Sequence, residues 1–158
     1  MSDARKQMSQ ALKTAVVPIL RARGFTGSFP HFRRCQQDGI DLFTFQFDKH
    51  GGGFVIEIGR CQPGGFTTHW GLQIPPEKVR AWDLPPKQRA RIKAKEGSGT
   101  DSWFRFDEFA TDVFKCTADS VIPFVDQAER MFNNFEKVPK LGELSNQSPN
   151  PPLKRQPE

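Results

Sequence analysis

Residues 40–58 read IDLFTFQFDKHGGGFVIEI, with Phe43, Phe45 and Phe47 on every second position. A period of two places these rings on one face of a β-strand, because successive side chains of an extended chain point to opposite sides. Phe54, Ile56 and Ile58 repeat the alternation after Asp48-Lys49-His50 and three glycines, so the two runs are expected to pair as an antiparallel hairpin. The chain carries 15 Phe and no Tyr. Phenylalanine supplies apolar ring area without a hydroxyl that needs a partner, so most of these rings read as packing material rather than chemistry.

Helical periodicity flanks the strands. Met8, Leu12, Ala15, Val16, Ile19 and Leu20 recur at spacings of three and four, which predicts a helix over residues 3–23 with one buried stripe. Arg21 and Arg23 suit its negative end, and Gly24 suits the left-handed residue that closes a helix. Pro18 predicts a kink near residues 14–17, or a helix that begins late, since proline removes one hydrogen bond and displaces the preceding turn. A second stripe, Val121, Ile122, Val125, Ala128, Met131, Phe132 and Phe135, predicts a helix over residues 117–135 with Thr117 as N-cap and Pro123 as an interruption.

Between the helices, residues 25–37 read as a first strand, residues 66–74 as a fourth strand with Trp70, Leu72 and Ile74 on one face, and residues 102–106 as a short aromatic strand. Two Pro-Pro pairs bracket residues 75–86, which predicts an irregular crossover there. Residues 87–101 combine alternating cations with Gly97-Ser98-Gly99 and read as a flexible basic loop. The expected architecture is α+β: an antiparallel sheet of four to five strands packed against an N-terminal and a C-terminal helix. One domain is expected over residues 1–136, a size that buries about two-thirds of the unfolded chain's surface. Residues 137–158 turn to Pro, Asn, Ser and Lys and read as a disordered tail.

Charge and cysteine usage bound the function. Cys35, Cys61 and Cys116 are an odd count without CxxC spacing, and no apolar leader precedes them, so a reducing cytoplasm is the expected location. No apolar run approaches the roughly 18 residues needed to span a bilayer, so no membrane is expected. The net charge of +5 permits attraction to nucleic acid, anionic lipid or an acidic protein face and does not select among them.

An amphipathic helix running into Leu20-x-x-x-Gly24-Phe25, a Phe32-Arg33 strand, and a hairpin of Phe45-Gln46-Phe47 with Phe54-x-Ile56-x-Ile58-Gly59 resemble the DUF4304 family, a bacterial domain family named for its unknown function. Trp103-Phe104 and Ile122-Pro123-Phe124 continue the resemblance. The shared positions are apolar packing sites, so the resemblance implies a fold and lends no catalytic set. The basic run at residues 87–101 and the proline-rich end depart from the family's pattern.

Catalytic patterns are sparse. There is no G-x-S-x-G elbow and no H-E-x-x-H helix, and Gly51-Gly52-Gly53 leads into a strand whereas phosphate loops lead into a helix. His31 and Cys35, four apart on a strand, stand about 13 Å from one another, too far to share a metal. Cys61 and His69 are the one Cys–His pair that a turn brings near, and nothing selects it. No catalytic residue, metal or cofactor is expected.

Two binding classes remain. For an unidentified protein partner with an acidic face, an inhibitor or immunity-type role being one version, the anchors expected are Trp70, Trp82, Trp103 and Arg105, because Trp and Arg carry much of the energy at interfaces. For nucleic acid, aromatic strands interleaved with Arg33, Arg34, Arg89, Arg91, Lys93 and Lys95 offer stacking and phosphate neutralisation.

Overall fold

The structure is a computed structural model and describes residues 2–142. Helix α1 (Asp3–Ala15) begins where Ser2 accepts the Arg5 N–H at 3.1 Å, with Asp3 in the first turn beside the positive helix end. It breaks at Val16, and α2 (Val17–Ala22) restarts with Pro18 in its first turn, where the missing N–H breaks no hydrogen bond. Gly24 takes φ +95° while the Phe25 N–H reaches back to the Leu20 carbonyl at 3.0 Å, closing the helix.

Strands β1 (His31–Gln36), β2 (Gly39–Phe47) and β3 (Gly53–Cys61) form the antiparallel meander that the alternation predicts. Phe43 pairs with Ile58, Phe45 with Ile56 and Phe47 with Phe54. The outer edge of β3 is shared by β6 (Arg89–Ile92) and β7 (Phe104–Arg105), which completes a five-stranded sheet. Helix α3 (Val113–Asn133) crosses the same face as α1 and passes through Pro123 without ending.

Rings fill the space between sheet and helices. Phe54 stacks on Phe104 at 5.1 Å and meets Phe45 edge-on at 6.0 Å, while Phe25 bridges Phe43 and Phe132 at 6.1 and 6.0 Å. Edge-to-face and offset arrangements are the ones that the ring quadrupole favours. At the open end of this face lies buried Asp41, which receives Arg34, Gln36 and Arg60 at 2.8, 2.7 and 2.6 Å. Arg34 also holds Glu129 of α3 at 2.6 Å, so one guanidinium ties two strands to a helix.

Four expectations are corrected. Phe25 lies outside the first strand, which starts at His31, and packs instead as a core ring. Residues 66–74 add no fourth strand to the sheet. They make a separate small hairpin, β4 (Phe66–Thr67) with β5 (Gln73–Ile74), because Thr68 and Gly71, at φ +93°, bend the chain between them. The basic run is partly sheet: β6 uses Ala90 and Ile92 as core residues, and residues 93–99 alone form the loop. Thr117 is no N-cap, since α3 starts four residues earlier. Its hydroxyl sits inside the helix and donates to the Arg105 carbonyl at 2.8 Å, which fastens α3 to β7.

The compact part also extends further than expected. Val138 packs on the core and the Lys140 ammonium donates to the Phe135 and Val138 carbonyls, each at 2.5 Å. The remainder of the expected tail, residues 143–158, lies outside the described residues.

Candidate partner-binding surface

The sheet's second face, opposite the helices, is where the surface side chains gather. A second, smaller core covers part of it: Val79, Ala81 and Leu84 pack on Ile40 and Leu42, with Phe66 and Ile74 at its border. Gly59 makes this close approach possible, because a Cβ there would lie 2.7 Å from Leu84 Cδ1 and 3.0 Å from the Gln88 carbonyl oxygen. Arg33 anchors the segment by donating from Nε and Nη2 to the Val79 carbonyl at 3.2 and 2.9 Å. Residues 66–86 are thus a fixed appendage on the sheet.

This appendage presents apolar side chains to solvent. Trp70 is 69% exposed and Leu72 54%, both on the turn between β4 and β5, and Trp82 is 45% exposed on the Ala81–Asp83 turn. The turn is held shut by Thr68, whose backbone N–H reaches the Leu72 carbonyl at 2.8 Å and whose hydroxyl accepts the Leu72 N–H at 3.0 Å. Trp82 leans on His31 with ring centres 4.3 Å apart, and Trp70 lies 4.8 Å from the ring of His69. Phe109, fully exposed on the approach to α3, belongs to a different part of the molecule.

Beside the appendage the pairing register aligns His31, Thr44, Glu57 and Arg91 in one row across four strands. Glu57 is buried and receives Arg89 at 2.9 Å and Arg91 at 2.6 Å, so two guanidinium groups share one carboxylate. His31 Nδ1 is 3.0 Å from the Thr44 hydroxyl. Burial, with Arg80 and Arg33 nearby, pushes the His31 pKa down to about 4 against the pull of Asp83, so the ring is neutral at pH 7. Trp103 lies half-buried under the Arg91 guanidinium, 5.5 Å from its centre.

The sequence-derived sites therefore separate. Trp70 and Trp82 share the appendage with Leu72, a residue that the strand expectation placed on one face with Trp70 and Ile74. Trp103 belongs to the sheet face, and Arg105 is used internally, paired with Asp107 at 2.5 Å and donating to the Thr100 carbonyl at 3.1 Å. The six nucleic-acid candidates do not form one surface. Arg34 faces the helices with Asp41 and Glu129, Arg33 caps Val79, Arg89 and Arg91 hold Glu57, and Lys93 donates to the Gly97 carbonyl. Lys95 is exposed.

Asp41 and Glu57 are the residues that reading the sequence missed. A carboxylate set among apolar neighbours in a strand, as in Ile40-Asp41-Leu42 and Ile56-Glu57-Ile58, is itself a signal that the opposing strand supplies a cation. The Cys61–His69 pair gains no support: His69 is exposed against Trp70, while burial and the nearby Cys35 push the Cys61 thiol up to about 11. A thiol held protonated is a poor nucleophile. Among the described residues no three His, Cys, Asp or Glu side chains gather as metal ligands would, and no helix is long and apolar enough to cross a membrane.

Comparison with curated proteins and with solved structures finds no match. The family model described as a domain of unknown function, DUF4304, matches residues 4–127, a stretch that contains the sheet, the appendage and most of α3. The chain belongs to the DUF4304 family.

Proposed function

We propose that the protein acts by binding another protein through Trp70, Leu72 and Trp82. The observation that carries this reading is the exposure of two tryptophans and a leucine on a segment pinned by its own core and by Arg33. Side chains ordered before contact lose less entropy on binding, and Trp is the residue type most enriched among those whose truncation costs about 2 kcal/mol or more. In the segment that follows the β4–β5 hairpin Lys78, Arg80 and Lys87 outnumber Glu77 and Asp83, which with the net charge of +5 suits a partner with an acidic rim. An inhibitor or immunity-type role is one form of this function, and its basis is analogy with other small non-catalytic domains.

Nucleic-acid binding is the competing reading. Trp82 and Trp103 flank the His31–Arg91 row, a placement that suits stacking, but Arg89 and Arg91 already neutralise Glu57. The two readings separate by capture from a lysate of the source cells. A single protein recovered in stoichiometric amount, and lost with Trp70→Ala/Leu72→Ser, supports the first. Recovery of nucleic acid, with affinity that falls steeply as salt rises and with neutralisation of Lys93 and Lys95, supports the second.

A further inference from the structure

Phe109 is the most exposed large apolar side chain among the described residues. It sits in a run, residues 107–112, in which every residue is exposed. Both ends of the run are fixed. The Phe106 N–H donates to the Gly52 carbonyl at 2.9 Å and Asp107 pairs with Arg105, while Asp112, in the left-handed region at φ +55°, accepts the Cys116 N–H at 2.9 Å as α3 begins. Scattered apolar side chains on a surface are ordinary. Phe109 differs because an apolar groove of about 600 Å³ opens a few residues away, between α1 and α3, with Ala11, Ala15, Phe114 and Ala118 in its lining. Asp112, three residues after Phe109, stands on its rim.

We propose that the protein pairs with a second copy of itself, each copy setting Phe109 into the α1–α3 groove of the other. Two observations support this occupant. The first is self-complementarity: a two-fold dimer needs one surface that carries both the projection and the recess, and here Phe109 and the groove meet at Asp112. The second is charge. Residues 107–112 hold Asp107, Glu108 and Asp112 and no cation. The α1 side of the groove carries Lys6 and Lys13 about Gln10, which lines both the groove and the adjoining hollow that contains the two lysines. Among the described residues the side chains of Glu108 and Lys6 have no hydrogen-bond or ion-pair partner, so each is available to the other copy. An acidic run around an exposed ring thus faces a groove with a basic edge, and two such contacts form in one dimer. The groove belongs to the helix side of the sheet, so pairing leaves Trp70 and Leu72 of both copies uncovered.

The test is sedimentation equilibrium of the full chain as wild type, as Phe109→Ser and as Thr14→Trp, whose added ring fills the groove from its exposed rim. Thermal unfolding first establishes that the three are equally folded, as changes at two exposed positions should leave them. The expected result is a wild-type mass that rises from 17.9 kDa toward twice that value with concentration, and a dimer Kd at least about tenfold weaker in each variant. Phe109→Ser keeps its groove and Thr14→Trp keeps its ring, so an equimolar mixture is expected to dimerise more tightly than either variant alone. A wild type that stays at 17.9 kDa up to about 1 mM overturns the proposal, and the groove is then open or closed by its own ring. A dimer of undiminished affinity in Phe109→Ser, or a mixture no tighter than its components, overturns it too, because the copies then meet elsewhere. Neither failure touches the partner-binding reading, which is tested through Trp70 and Leu72 themselves.

Discussion

Two buried carboxylates set the polar skeleton of this protein. Asp41 joins β1 to β3 through Arg34 and Arg60, and Glu57 joins β3 to β6 through Arg89 and Arg91. Removing one partner of a buried pair leaves the other charge uncompensated, which costs about 3–5 kcal/mol. Asp41→Ala is therefore expected to lower the urea unfolding free energy by about that amount. A loss under about 1 kcal/mol would show the cluster to be solvated. His31 gives a second residue-scale prediction. Its folded pKa, about 4, lies below the ordinary histidine value of 6.5, so the unfolded chain binds the proton more readily. Its contribution to stability is complete above pH 6.5 and is lost progressively as pH falls toward 4. Urea midpoints measured from pH 7.5 to 4.5 should fall in the wild type and stay flatter in His31→Gln. Equal slopes would contradict the account. Glu129, held low by its hydrogen bond to Arg34, loses its own contribution only at lower pH, as the medium falls through its depressed pKa.

Elements were legible in proportion to how far short-range pattern determined them. The period-two runs at residues 43–47 and 54–58 need one buried face and a glycine turn, and both are local properties, so the hairpin and its register follow from the sequence. Residues 66–74 carry the same alternation and fold differently. The edge of β3 is taken by β6 and β7, and Thr68 with Gly71 closes a turn that alternation cannot reveal. Arg89 and Arg91 read as solvated loop cations because their partner, Glu57, is more than thirty residues away in the chain. Leu72, exposed beside the expected anchor Trp70, was missed for the same reason: whether an apolar side chain faces core or water depends on which edge is already occupied. Gly59 offers the test at this scale. Gly59→Val places branched carbons where Leu84 and Gln88 now sit, so it is expected to lift residues 79–88 off the sheet while the Phe core stays folded. Hydrogen exchange should quicken at residues 79–84 and remain slow in β2; unchanged exchange in both would contradict the packing. Phe54→Ala acts on the other face, where the ring meets Phe45, Phe47, Phe104 and Phe106. It is expected to cost about 3–5 kcal/mol by cavity formation.

At the scale of the whole molecule the two sheet faces divide the work. The helix face buries the rings and carries stability. The second face holds an appendage whose small core supports exposed tryptophans at a fixed place. Replacing Trp70 and Leu72 should leave stability within about 0.5 kcal/mol, since neither belongs to either core. The most direct test of a partner-binding surface is quantitative capture from source-cell lysate with wild type and with Trp70→Ala/Leu72→Ser, after thermal unfolding shows that both are equally folded. The account predicts one protein held in stoichiometric amount by the wild type and reduced at least tenfold by the variant. Equal recovery of that protein on both chains would contradict it.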